Sequence, residues 1–131
     1  MFRRIQFLTP YLLVIMLATG CSPSKSINLT AADTGKQVNI KVGEQFIITL
    51  EGNPSTGNSW EAKDLDTSII EQVGDTVFQS SNPDLVGSGG TLTMTFEGLK
   101  TGTSTLTLVY HRPWETGVDP IDTFEITVTI K

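Results

Sequence analysis

The 131-residue sequence is long enough for one domain and carries a formal charge of -5, with 14 acidic residues against 9 Lys and Arg. Such an acidic balance disfavours nucleic acid, whose phosphates reward clustered basic residues, and leaves acyl chains as the only expected route to anionic lipid. One cysteine excludes an internal disulfide, and one histidine gives no spacing for a zinc site, so neither a cofactor nor a metal is expected.

The first segment reads as a signal. Met1 to Gln6 carries Arg3 and Arg4, and a mostly apolar run over 7–18 is broken by Thr9 and Pro10. A basic start, a short apolar stretch and small residues before a cleavage point define a secretory signal peptide, and the run falls short of the ~20 residues of a membrane span. The segment ends Leu17-Ala18-Thr19-Gly20-Cys21. A cysteine directly after small residues resembles the lipobox of bacterial lipoproteins, in which the thiol is diacylated and the cysteine becomes the mature N-terminus. Ala18 departs from the usual Leu, which here lies one position further back at Leu17. The resemblance implies a lipoprotein signal over 1–20, lipidation of Cys21, and an exported chain anchored to a membrane of the cell envelope on its periplasmic or outer face. Loss of residues 1–20 removes two basic residues and no acid, which moves the formal charge from -5 to -7. Residues 21–35 are expected to be the lipidated cysteine, a short polar tether (Ser22 to Ser26) and a lead-in to a domain over 36–131.

From residue 36 the dominant pattern is apolar alternation of period two, the mark of half-buried strands. Strands are predicted over 36–42, 45–52, 59–63, 69–79 (irregular), 91–97, 103–111 and 121–130. Val38, Ile40 and Val42 form the first inward set; Phe46, Ile48 and Leu50 the second; Leu92, Met94 and Phe96, then Leu106, Leu108 and Tyr110, then Phe124, Ile126, Val128 and Ile130 the later ones. Threonine fills many of the outward positions, as suits a β-branched residue on a solvated pleat. About seven strands separated by Gly, Asn, Asp and Pro turns argue for an all-β, immunoglobulin-like sandwich of antiparallel strands with Greek-key connections.

Three connections are more than plain turns: 53–58 (Asn53-Pro54-Ser55-Thr56-Gly57-Asn58), 80–90 (ending Gly87-Ser88-Gly89-Gly90), and the run from His111-Arg112-Pro113-Trp114-Glu115 to Pro120. If successive strands alternate in direction, these three loops emerge at one end of the sandwich, as binding loops do on an immunoglobulin variable domain. Each has a plain alternative. Asn-Pro followed by Ser-Thr-Gly is a good turn by itself, Trp114 can fold onto the core, and the Gly-rich run lacks the following helix and Lys of a phosphate loop.

Taken together, the three loops resemble the chagasin family of cysteine peptidase inhibitors, whose loops carry Asn-Pro-Thr-Thr-Gly, Gly-x-Gly-Gly and Arg-Pro-Trp in that order. Trp60 also falls where the family has a tryptophan. The resemblance covers about residues 36–130, with Ser55 in place of Thr and Asn58 in place of an aromatic residue. It implies a reversible proteinaceous inhibitor of papain-like cysteine peptidases that blocks the active-site cleft with loops 53–58, 87–90 and 111–115. The implied partner-binding residues are Asn53, Pro54, Ser55, Thr56 and Gly57; Gly87, Ser88, Gly89 and Gly90; and Arg112, Pro113 and Trp114. Thr56 would sit nearest the catalytic cysteine and histidine of the peptidase. The residue types suit docking: proline lowers the entropy lost on binding, glycine lets backbone approach backbone, and Trp and Arg are enriched at interface hot spots.

The rivals are weaker. A catalytic triad would have to use His111, and nothing marks a serine as activated. Glu61, Asp64 and Asp66 read as a solvated strand and turn, and a calcium site at Asp119 and Asp122 has no supporting pattern. A lipid-anchored immunoglobulin-like module that binds an envelope protein or glycan would use the same loop edge. The fold needs no partner, so a monomer is expected.

Overall fold

A computed structural model describes Gly20 and residues 25–131; the rest of the predicted signal and Cys21 lie outside the described residues. Among the described residues nine strands form: β1 (Ile27–Leu29), β2 (Gln37–Ile40), β3 (Gln45–Gly52), β4 (Ser59–Lys63), β5 (Ile70–Gln72), β6 (Val77–Ser80), β7 (Gly90–Gly98), β8 (Gly102–His111) and β9 (Asp122–Ile130). Short 3₁₀ turns occupy Ala31–Asp33 and Pro54–Thr56. One sheet runs β1-β3-β7, with β5 and β6 both on the far edge of β7; the other runs β2-β9-β8-β4.

The predicted alternation decides which face of each strand is buried. Phe46 and Ile48 of β3, Met94 and Phe96 of β7, Leu106 and Leu108 of β8, and Phe124, Ile126 and Val128 of β9 are sealed between the sheets. Phe46 stacks on Phe96 with ring centroids 5.6 Å apart. On the outer face Thr49 pairs with Thr93, hydroxyl to hydroxyl at 3.4 Å. Burying large side chains completely contributes about 1.5–3 kcal/mol each before chain entropy is subtracted, which lets a domain without disulfides hold together.

Four features differ from the sequence expectation. The domain begins before residue 36: β1 lies in the expected lead-in, pairs with β3, and buries Leu29. Three residues are too few to show a period, so the strand is silent in the sequence. The sheets are mixed rather than antiparallel, since β1 runs parallel to β3 and β2 parallel to β9; alternation fixes a face, not a direction. The irregular 69–79 stretch splits into β5 and β6, offset at Gly74 with φ +71°. Val42 is half exposed, because β2 stops at Ile40 and the chain turns where the Glu44 carboxylate accepts the Lys41 N–H at 2.8 Å.

Both β5 and β6 run antiparallel to β7, so the split leaves strand parity unchanged. The 53–58, 81–89 and 112–121 loops leave the ends of β3, β6 and β8 at one pole of the sandwich. The β2–β3 turn, the β7–β8 turn and the 64–69 connection gather at the other, the base pole. There Gly43 N–H donates to Gly98 O at 2.8 Å, and Leu99 N–H to Ile69 O at 2.7 Å. In the 64–69 connection, the Ser68 hydroxyl and N–H hold the Asp66 carboxyl below the usual carboxylate range, and Lys100 adds attraction.

Candidate functional site

The first loop is built by its own side chains. Asn53 caps the 3₁₀ turn: its Oδ1 accepts from Ser55 N–H at 3.1 Å and from the Ser55 hydroxyl at 2.6 Å. Pro54 occupies the first position of that turn, where a missing N–H costs nothing. The Thr56 hydroxyl closes back onto Asn53 O at 2.7 Å. Gly57 then leaves the turn with φ +82°, a left-handed conformation that glycine adopts without penalty. Pro54, Ser55 and Thr56 all face solvent.

The loop is fastened to both neighbours. Asn53 Nδ2 donates to Gly87 O at 3.0 Å, and the Ser55 hydroxyl reaches the same carbonyl at 3.4 Å. On the other side Arg112 Nε donates to Thr56 O at 3.1 Å, while Arg112 Nη1 pairs with Glu115 at 3.2 Å. The Trp114 indole lies over Gly57, so close that a Cβ at residue 57 would run into Cη2 and sit 3.0 Å from Cζ2. Trp114 nonetheless keeps 67% of its surface exposed. The alternative in which it folds onto the core is therefore not adopted. The predicted loops meet as one continuous ridge.

The Gly-rich loop divides its residues between two jobs. Gly87 supplies the carbonyl that receives Asn53. The Ser88 hydroxyl turns inward to Ser80 at 2.5 Å and Asn82 O at 2.9 Å. Gly89 O is held by Ser81, through its N–H at 3.0 Å and its hydroxyl at 2.7 Å. Gly90 begins β7 so near to Gln79 that a Cβ would overlap the Gln79 carbonyl. Ser88 and Gly90 thus shape the loop from within and are only partly exposed, whereas the predicted residues 53–57, 87 and 112–114 form the outer ridge or its joints.

Sequence reading missed three residues of the site: Leu85, Val86 and Tyr110. Leu85 and Val86 stand at the loop tip with 60% and 100% of their surface exposed; their apolar character alone does not distinguish a tip from a core position. Tyr110 accepts the Asn53 N–H on its hydroxyl at 2.8 Å and stacks on Trp60 at 5.2 Å. Trp60 in turn donates its indole N–H to Glu51 O at 2.9 Å. This aromatic pair ties the stem of the third loop to the root of the first. Asn58, where an aromatic residue was expected, is buried, and its amide donates to the Thr56 hydroxyl at 2.8 Å. A polar brace stands in for an apolar one.

Glu61 pairs with His111 at 2.9 Å, apart from Asp66, which bonds Ser68. Among the described residues no three His, Cys, Asp or Glu are grouped to hold a metal.

Comparison with known proteins agrees with this geometry. A family profile described as "Chagasin family peptidase inhibitor I42" matches residues 39–128. Amoebiasin-1 of Entamoeba histolytica is 31% identical over 107 residues, covering 80% of this chain and 100% of its own. Chagasin of Trypanosoma cruzi is 33% identical over 95 residues, covering 68% of this chain and 84% of its own. The crystal structure of the cysteine protease inhibitor EhICP2 from Entamoeba histolytica superposes with a TM-score of 0.71 at 28% identity, over 81% of this chain and 96% of that one. The chain belongs to the chagasin family, whose members are inhibitors of peptidases and not enzymes.

Proposed function

We propose that this chain is a reversible inhibitor of papain-like cysteine peptidases that fills the active-site cleft with the ridge of its three loops. The observation that carries the reading is the fastening of those loops to one another, through Asn53 to Gly87, Arg112 to Thr56 and Trp114 on Gly57. A ridge formed before contact loses little entropy on docking. It also offers exposed Trp114, Leu85 and Val86 to apolar subsites on either side of the 3₁₀ turn. Inhibition is by occupation: the Pro54–Thr56 turn covers the catalytic cysteine, and the inhibitor itself supplies no chemistry.

The test is titration of papain with residues 22–131. Stoichiometric, reversible inhibition is expected, and Trp114→Ala should weaken it by roughly 30-fold, the equivalent of ~2 kcal/mol at a hot spot. A folded protein that leaves papain fully active at micromolar concentration would sink this reading and favour an envelope-binding module.

We further propose, from the N-terminal segment alone, that the inhibitor is anchored to a membrane. Arg3 and Arg4, the short apolar run and Cys21 after small residues support an exported lipoprotein of a bacterial envelope. Mass spectrometry of the mature N-terminus checks it: an acylated Cys21 is expected, and a chain that keeps residues 1–20 or a free thiol is the contrary result.

A further inference from the structure

Thr56 is exposed at the end of the 3₁₀ turn, yet each of its polar groups is already engaged inside the domain. Its N–H donates to Asn53 O at 3.1 Å, and its carbonyl accepts Arg112 Nε at 3.1 Å. A threonine hydroxyl can donate one hydrogen bond and accept two. Here the proton goes to Asn53 O at 2.7 Å, and the oxygen receives Asn58 Nδ2 at 2.8 Å and the Asn58 N–H at 3.4 Å. A carbonyl only accepts, so the hydroxyl proton is committed to Asn53. Asn58 must therefore turn its NH₂, and not its oxygen, toward Thr56. Among the described residues Asn58 is the one buried polar residue, and it lines a small cavity with His111, Arg112, Val118 and Ile121 of the third loop and its stem. What the Thr56 side chain keeps for a partner is its methyl group.

We propose that Asn58 is a positioning residue of the inhibitory turn. By saturating the Thr56 hydroxyl, it makes Thr56 meet the catalytic cysteine and histidine of a papain-like peptidase with a methyl group and no free hydrogen-bonding side-chain atom. The proposal rests on the inhibitor reading above and deepens it. Blocking by occupation needs a surface that is inert to both members of the catalytic pair. A hydroxyl free to rotate would offer a proton to the thiolate and a lone pair to the imidazolium, and would draw the turn out of its own bonds. A methyl offers neither, and it keeps water from the pair. A buried amide costs free energy unless it is hydrogen-bonded. The bond that the Asn58 side chain makes goes to Thr56 rather than to the strands around it, so its burial serves the turn.

The test is titration of papain with residues 22–131, which carry every described strand, and with three substitutions in them. Asn58→Leu keeps the side-chain volume and removes the donor. It should weaken inhibition roughly fivefold, the size of one hydrogen bond. Its melting temperature should stay within a few degrees of the parent's, because water replaces the amide at an exposed hydroxyl. Thr56→Val keeps the shape and removes the hydroxyl. In that background Asn58→Leu should add less than about twofold, since both changes break the same bond. Thr56→Ser keeps the hydroxyl and its partners and loses the methyl; inhibition about fourfold weaker is expected at an unchanged melting temperature. Effects of Asn58→Leu and Thr56→Val that multiply would make Asn58 a packing residue and overturn the proposal. Undiminished inhibition by Thr56→Ser would show that the methyl does not face the catalytic pair, and would overturn it as well. A folded parent that leaves papain active would overturn the inhibitor reading itself, and this one with it.

Discussion

Trp114 and Gly57 show how single residues set the shape of the ridge. The indole needs a floor without a side chain, and the 3₁₀ turn needs a left-handed exit; glycine at 57 meets both demands. Alanine there would cost about 1–2 kcal/mol for the backbone conformation and would push the indole aside as well. Gly57→Ala is therefore expected to weaken papain inhibition by about tenfold or more while lowering the melting temperature by roughly 5–10 °C and leaving the domain folded. Titration and thermal unfolding of the same sample check both halves. The ridge residues were picked out in the sequence by three motifs taken together, since each loop alone also reads as a plain turn or cap. What joins them was not. The Tyr110 hydroxyl reaches Asn53 across 57 positions, and the inward alternation of β8 makes Tyr110 look like ordinary core. Ser88 and Gly90 carry the same motif as Gly87, and only packing separates a contact from a support.

Among the elements, long strands announced themselves and short ones did not. β3, β7, β8 and β9 each repeat their alternation over eight or more residues, enough to fix the buried face. β1 has three residues and one buried side chain, Leu29. Its pairing with β3 nonetheless covers the edge beside Phe46 and Ile48. Truncating a buried leucine leaves a cavity and typically costs 2–5 kcal/mol, with the lower end expected at a sheet edge. Leu29→Ala should thus destabilise the domain by about 2 kcal/mol in denaturant melts, although a boundary at residue 36 would place it in a lead-in. Unchanged stability would show that β1 is dispensable and restore the later boundary.

At the level of the whole molecule, the sandwich separates its two surfaces by the length of its strands. Alternation and parity foretold that the loops would cluster, since strand count and order suffice for that. Which turns meet at the opposite pole follows from the sheet topology, which no local pattern encodes. The offset between β5 and β6 governs how copies of the domain meet. A long, flat, apolar strand edge is where encounters between copies grow into fibrils. This edge is broken at Gly74 into runs of three and four residues. Val77 and Phe78 stand exposed beside it, but a neighbouring copy finds no continuous ladder on which to extend.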